Sequence, residues 1–207
     1  MLERRSPLAH LIEARAAGVP DQHARLILSE QALGALWQVA GWQDFETVVE
    51  PVLAALGFAG LGDHCSVRVS AGTECYRIAP DRILLRCPDA GALSAALDKA
   101  PPGRLTALDL SHARIVIRIS GTAAVDLMAR LVPLDFAGPA FSIDSFAQTG
   151  IHGVPVLTRR LSEEAFDLFV PVTWAVSVLE IVCKNARPFG YAVEASRPTS
   201  PGSRLRP

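Results

Sequence analysis

The run Asp109-Leu-Ser-His112 holds the three side-chain types of an acyl-transfer triad. In such a triad the nucleophile, the base and the group that orients the base converge from separate elements of the fold. In an extended chain, successive side chains point to opposite faces, so Asp109 and Ser111 lie on one side and His112 on the other. We therefore predict a turn at the start of a strand, in which Asp109 and Ser111 bond to nearby backbone.

Other motifs lack the spacing that their chemistry needs. Gly60-Leu-Gly62 has no third glycine at dinucleotide-binding spacing and follows an apolar helical run, so it predicts a loop after a helix. Neither the phosphate-binding pattern G-x-x-x-x-G-K-[ST] nor the hydrolase elbow G-x-S-x-G occurs. Glu46 and Glu50 are one helical turn apart and are typical of a solvent-exposed helix face rather than of paired catalytic carboxylates.

The cysteines and tryptophans each leave two interpretations open. The cysteines form no C-x-x-C pair, so buried apolar thiols are favoured over metal ligands; they are Cys65, Cys75, Cys87 and Cys183. The histidines show no H-E-x-x-H spacing. Trp37 and Trp42 could stack on a ring-shaped ligand, but aromatic residues at helical spacing favour a place in the core.

Composition excludes some partners and suggests others. The formal net charge is -1, which is unlike the basic surface that binds nucleic acid. Half of the residues are hydrophobic and the mean hydropathy is +0.27, so we expect some apolar surface to meet a partner protein. The first residues do not form a signal peptide, and every apolar run is shorter than the roughly 20 residues that cross a bilayer. We therefore expect a cytoplasmic protein without membrane spans.

Hydrophobic periodicity predicts interleaved strands and helices. Apolar and polar residues alternate, as in half-buried strands, at residues 65–70, 114–119 and 166–170. In the last two, Arg114, Arg118 and Asp167 occupy the polar face. Helical spacing occurs at residues 33–40, 92–97, 124–131 and 173–185, the last ending before Pro188.

Two pairs of segments suggest an internal duplication. Residues 26–29 and their apparent helix resemble residues 116–120 and theirs, and residues 83–88 resemble residues 166–171. Two similar strand-helix-strand-strand-helix lobes fit this repeat. The predicted boundaries are an N-terminal arm at 1–19, a first lobe at 20–100, a second lobe at 104–193 and a disordered tail at 194–207, with Pro101-Pro-Gly103 as the linker.

Several segments resemble the gamma subunit of heterotetrameric sarcosine oxidase. The longest runs from Ala107 to Gly121 and reads ALDLSHARIVIRISG. Further segments follow that subunit's order and approximate spacing: residues 5–10, 35–42, 78–81, 133–135, 140–141, 147–149, 166–171 and 189–190. The likeness covers residues 5 to 190.

That gamma subunit is itself similar to the folate-binding lobes of the glycine-cleavage aminomethyltransferase. The resemblance therefore implies an α+β fold, in which two similar lobes form antiparallel sheets with helices packed against them. The Asp-x-Ser-His and Ser-Gly segments of that enzyme are echoed between Asp109 and Gly121. Where the aminomethyltransferases have a Gly-Gly turn and a pair of aspartates, this chain reads TGIHGVPV from Thr149 to Val156. The carboxylates are missing, so the resemblance implies no inherited folate chemistry.

The resemblance implies a non-catalytic structural subunit of a complex that oxidises sarcosine to glycine. Its partners would be alpha, beta and delta subunits, and the partner subunits would carry FAD, FMN, NAD and tetrahydrofolate, with zinc in the delta subunit. No catalytic, cofactor-binding or metal-binding residue is expected in this chain. Two alternatives stay open: the gamma-type subunit of N-methylglutamate dehydrogenase, and a free-standing folate-dependent aminomethyltransferase-like protein.

The N-terminal arm is the predicted partner interface. Leu8, Leu11 and Ile12 have helical spacing, but the segment is too short to form a stable helix alone. It could pack on a partner, pack on its own domain or fray in solvent. Because the resemblance reaches Ser6 and Pro7, we favour a partner and expect deletion of residues 1–19 to leave the stability of the isolated chain nearly unchanged.

Overall fold

The computed structural model describes residues 6–16 and 24–194. They form five α-helices and eleven strands. In chain order these are α1 (Ala9–Ala16), β1 (Leu26–Gln31), β2 (Ala35–Gly41), α2 (Phe45–Ala55), β3 (Val67–Ser70), β4 (Thr73–Ala79), β5 (Arg82–Cys87), α3 (Ala90–Leu97), β6 (Leu105–Asp109), β7 (Arg114–Ser120), α4 (Ala124–Leu131), β8 (Phe146–Ile151), β9 (Val154–Ser162), β10 (Ala165–Pro171), α5 (Ala175–Ala186) and β11 (Tyr191–Glu194). None of the described helices combines the length and the apolar character needed to span a membrane.

The strands form two sheets that pack between two layers of helices. The large sheet has the order β11-β1-β7-β10-β9-β8, and the small sheet has the order β3-β4-β5-β2-β6. One apolar core joins the large sheet to α1, α4 and α5, and a second joins the small sheet to α2 and α3. A third core lies between the two sheets. The α+β class, the antiparallel pairing and the packing of helices on the sheets are thus confirmed.

The two halves of the chain repeat one arrangement and exchange their first strands. The order β2-α2-β3-β4-β5-α3 recurs as β7-α4-β8-β9-β10-α5. The predicted match of residues 83–88 with residues 166–171 is confirmed by β5 and β10, but the match of residues 26–29 with residues 116–120 was wrong, because β7 corresponds to β2 and not to β1. However, β1 pairs with β7, where Ile27 lies opposite Ser120, and β6 pairs with β2, where Thr106 lies opposite Ala40. Each half therefore begins with five strands where the predicted repeat has three, and the second half adds β11 as a sixth. Each sheet takes one strand from the other half. The lobe boundaries at 100 and 104 stay a prediction about the sequence halves, which do not coincide with the sheets.

The helix predicted at residues 33–40 was wrong, because residues 35–41 form β2. This strand is covered on both faces. Val39 lies in the core on the helix side, whereas Leu36 lies in the core between the sheets. A strand that is buried on both faces loses the apolar-polar alternation of a half-buried strand. The spacing of Leu33, Leu36 and Ala40 therefore matched a helix by coincidence.

Most other predicted elements are confirmed, with small shifts at their ends. They are the strands β3, β7 and β10, the helices α3, α4 and α5, and the loop at Gly60–Gly62. The short strand β11 was not predicted, and it pairs in parallel with β1 at the opposite end of the chain. Glu194, the first residue of the predicted tail, is the last residue of β11. The rest of that tail, and residues 1–5 and 17–19 of the predicted arm, lie outside the described residues.

Candidate functional site

Asp109 and Ser111 form the predicted backbone-bonded turn. Asp109 ends β6, and its Oδ1 accepts a hydrogen bond from the Ser111 N–H at 2.8 Å. The Ser111 Oγ accepts one from the N–H of Leu36 at 3.0 Å, beside the bond from the Leu110 N–H to the Leu36 oxygen at 2.7 Å. His112 is exposed in the same turn. Ser111 thus supplies the acceptor that β6 would otherwise offer to Leu36, which is a structural role and not that of a nucleophile.

The cysteines divide into three buried thiols and one exposed thiol. The expectation of buried thiols is confirmed for Cys75, Cys87 and Cys183 and was wrong for Cys65. Burial raises the pKa of Cys75 to about 12, so this thiol is protonated at neutral pH and is not a metal ligand or a nucleophile there. Among the described residues, no three His, Cys, Asp or Glu side chains converge as a metal site would require.

The two tryptophans have different surroundings. Trp37 in β2 is partly buried against the core of the small sheet. The side chain of Trp42 is 83% exposed, so the prediction of a core position was wrong for this residue. Trp42 directly follows β2 and lies beside Arg104, Asp44 and Asp81 around an open surface depression. An exposed tryptophan is costly in water and is typical of protein interfaces.

The described part of the N-terminal arm packs on its own chain. Leu8 is 0% exposed and Ile12 is 4% exposed, both within the core of the large sheet, while Leu11 is partly buried against it. Ser6 accepts a hydrogen bond from the Leu8 N–H at 2.9 Å and donates one to the Glu30 carboxylate in β1. Leu8 and Ile12 can therefore contact a partner only if the arm leaves this position. That Leu8, Leu11 and Ile12 form a partner interface stays a prediction.

A network of buried charges joins the two sheets, and the sequence analysis missed it. Asp167 in β10 accepts hydrogen bonds from Arg118 in β7 at 2.7 and 2.8 Å, and Arg86 in β5 approaches it at 3.8 Å. Glu74 in β4 pairs across the same interface with Arg159 in β9 at 2.5 Å, and within its own sheet with Arg86 at 3.3 Å. The alternation had correctly placed Arg118 and Asp167 on a polar face. That face is covered by the second sheet, which leaves Asp167 fully buried and the Arg118 side chain 33% exposed.

Tyr76 lies in the middle of this interface. Its ring meets those of Phe146 and Phe169 edge to face, with centroids at 5.3 and 5.6 Å, and its hydroxyl donates to Glu74 at 2.5 Å. Burial and the adjacent Glu74 carboxylate raise the pKa of Tyr76 well above its usual range. The hydroxyl is therefore a neutral donor that satisfies Glu74 and is unsuited to act as a base. The arginines and carboxylates of the network pair with one another and fix the position of one sheet relative to the other.

A cavity with a volume of about 290 Å³ lies between the two sheets. Gln38, Arg114, Gln148 and Thr149 are the polar residues of its lining, and the other lining residues are apolar. Gln148 donates to the backbone oxygen of Ile78 at 2.9 Å, and burial lowers the pKa of Arg114. No histidine, cysteine or carboxylate occurs among the described residues that line it. The cavity can accept a small polar group, but its lining holds no acid-base pair or nucleophile.

Comparison with curated proteins identifies relatives over most of the chain. The sequence is 32% identical over 172 residues to sarcosine oxidase subunit gamma of Corynebacterium sp. (strain P-1), which covers 79% of this chain and 80% of the relative. The identity to sarcosine oxidase subunit gamma of Arthrobacter sp. is also 32%, over 169 residues and the same shares of the two chains. No family model matches the sequence.

Solved structures share the fold. A chain of heterotetrameric sarcosine oxidase from Corynebacterium sp. U-96 superposes with a TM-score of 0.80 at 24% identity, covering 90% of this chain and 96% of that one. Glycine cleavage system aminomethyltransferase T from Bartonella henselae gives a TM-score of 0.60 at 19% identity, covering 92% of this chain and 51% of that one. The sequence identity and the shared length together show that this chain belongs to the family of sarcosine oxidase gamma subunits.

Proposed function

We propose that this chain is the structural gamma subunit of a heterotetrameric sarcosine oxidase and supports assembly of the complex that demethylates sarcosine to glycine. The observation that carries the proposal is the 32% identity to curated gamma subunits over 80% of their length. The fold shared with a chain of a heterotetrameric sarcosine oxidase supports it.

The contacts of the polar side chains also favour a structural role. Ser111 completes the pairing of β2 with β6, and Asp167 and Glu74 neutralise arginines between the sheets. Groups that would perform acid-base chemistry are thus used to hold the fold together. The cavity between the sheets is lined by Arg114, glutamines and apolar residues, a set suited to binding rather than to bond cleavage.

In this proposal the alpha, beta and delta subunits are the partners, and they carry the flavins FAD and FMN, NAD and tetrahydrofolate, with zinc in the delta subunit. The gamma subunit contributes a rigid body that the partners pack against. The covered charges between its two sheets support this role, because ion pairs that need good geometry on both sides fix the relative position of the sheets.

The test is co-expression of the alpha, beta and delta subunits from the same organism with and without this chain. We expect a complex that contains all four subunits, and loss of assembled, sarcosine-oxidising complex when this chain is omitted. Mass photometry and sarcosine-dependent oxygen consumption are the measurements. N-methylglutamate as the substrate is the control for the related dehydrogenase. A complex of the alpha, beta and delta subunits that assembles without this chain and oxidises sarcosine at the full rate would contradict the proposal.

A further inference from the structure

The ends of the two sheets are protected to different degrees. The edges of β3 and β8 bond to each other's flanking residues, since the Phe146 N–H donates to the Cys65 oxygen at 2.8 Å and the Val67 N–H donates to the Asp144 oxygen at 2.6 Å. At the other end of the large sheet, β11 is packed against α1. In the described part of the chain, β6 pairs only with β2, so its outer side has no paired strand. Such an edge presents unpaired N–H and C=O groups to which another extended segment can bond.

The hydrogen bonds of β2 define which backbone groups of β6 point outward. The Leu110 N–H bonds to the Leu36 oxygen. In an antiparallel pair, the backbone N–H and C=O groups of every second residue point towards the neighbouring strand. Leu108 and Thr106, opposite Gln38 and Ala40, therefore bond to β2. The N–H and C=O groups of Leu105, Ala107 and Asp109 point away from the sheet. Residues 106–109 also have exposed side chains.

The other half of the molecule shows what fits such an edge. Strand β1 occupies the place in the large sheet that β6 occupies in the small sheet, since Ile27 pairs with Ser120 as Thr106 pairs with Ala40. The outer edge of β1 is filled by β11, which runs parallel to it from Leu26 opposite Tyr191 to Ser29 opposite Glu194. The repeat thus contains a place for a parallel strand on both sheets, and the described chain fills one of them.

We propose that an extended segment of a partner subunit adds to the outer edge of β6 as a parallel strand, in the place that β11 takes beside β1. This inference rests on the proposed function, because the partner is a subunit of the same complex. Main-chain hydrogen bonds to Leu105, Ala107 and Asp109 hold the segment, as in other cases of strand addition.

The side chains around β6 define the chemistry of the added segment. Leu108 is 53% exposed on the face directed towards the other sheet, and Trp42 is 83% exposed near the start of β6. Arg104 precedes the strand and Asp109 ends it. A parallel segment with an acidic residue near its start, apolar residues in the middle and a basic residue near its end is complementary to this edge.

The first measurement is amide hydrogen exchange on the assembled wild-type complex and on the isolated chain. We expect the amides of Ala107 and Asp109 to exchange rapidly in the isolated chain and at least about tenfold more slowly in the complex, because an inter-strand hydrogen bond protects an amide. The inward amides of Thr106 and Leu108 serve as internal controls, since they are bonded to β2 in both states. No variant is needed for this measurement, so it does not depend on the folding of a mutant.

The second measurement is the affinity of Ala107→Pro for the purified alpha, beta and delta subunits. Proline removes an outward N–H that β2 does not use, so the isolated variant should fold and unfold thermally like the wild type. We expect its dissociation constant to rise by about tenfold or more, from the lost hydrogen bond and the clash with the added strand. Ala107→Val keeps the N–H and suits a strand, so it should bind like the wild type.

The outcomes separate this inference from the proposed function. A complex that assembles while the amides of Ala107 and Asp109 stay unprotected would overturn the strand addition and leave the proposed function intact. Failure of the wild-type chain to bind the other subunits would overturn both. A dimer of the isolated chain that Ala107→Pro converts to a monomer would show that a second copy occupies the edge, which also overturns the inference.

Discussion

Arg118 and Asp167 form a two-point ion pair between neighbouring strands, with the Asp167 side chain 0% exposed. Arg86 of the opposite sheet approaches the same carboxylate at 3.8 Å. The hydrogen bond from Arg118 to Asp167 raises the pKa of Arg118. This carboxylate therefore connects the two sheets. Loss of either Arg118 or Asp167 would leave the other charge without its partner.

Asp167→Asn should lower the free energy of unfolding by about 3–5 kcal/mol, because it keeps the shape of the side chain but leaves Arg118 without its buried counter-charge. Urea denaturation followed by circular dichroism measures this loss. The double variant Asp167→Leu with Arg118→Leu removes both charges and should recover much of the stability. A loss below about 1 kcal/mol for Asp167→Asn would show that the pair is unimportant for the fold.

Ser111→Ala should lower the stability of the isolated chain by about 1–3 kcal/mol, because the N–H of the buried residue Leu36 loses its acceptor. Turnover per assembled complex should stay unchanged. His112→Ala, at the exposed position of the same turn, is the matched control and should alter stability by less than about 0.5 kcal/mol. A hundredfold loss of turnover with assembly intact, for either variant, would mean that the turn contributes to catalysis.

Leu8→Ala should lower the free energy of unfolding by about 2–5 kcal/mol, because it opens a cavity beside a fully buried position. Leu11→Ala, at a partly buried position, should cost less. Deletion of residues 1–19 should then lower the unfolding temperature of the isolated chain, contrary to what the sequence suggested. Differential scanning calorimetry of the two variants, the deletion and the wild type measures these losses of stability. Unchanged unfolding of the Leu8→Ala chain would support an arm that is free to contact a partner.

Stability should fall as the pH rises between 9 and about 12, partly through Cys75. The unfolded thiol releases its proton above pH 9, whereas the buried thiol keeps its proton until about pH 12. The unfolded state therefore binds fewer protons in this window, and this group adds a slope of up to about -1.4 kcal/mol per pH unit. Cys75→Ala should show a shallower slope in urea denaturation than the wild type. Cys65→Ala, which removes the exposed thiol, should retain the wild-type slope; equal slopes for all three proteins would contradict the role of Cys75.

The sequence by itself determined the elements whose pattern is local. Strand β7 shows apolar-polar alternation, and α4 shows helical spacing from Ala124 to Leu131, because each has one buried face. The turn at Asp109 was also predictable, because it depends on a local contact in which a short polar side chain bonds to backbone two residues away. The resemblance to gamma subunits was likewise contained in ordered segments of the sequence.

The tertiary structure decided what covers each face. Strand β2 matched a helix because both of its faces are buried, and β11 gave no signal because its partner β1 lies at the other end of the chain. Arg118 and Asp167 follow a pattern that is the same whether the polar face meets water or a second sheet. Only the packing of the two sheets made that face an ion network. Only the pairing of β11 with β1 covered the outer side of one exchanged strand and left that of β6 without a partner among the described strands. Both depend on contacts between residues far apart in the chain.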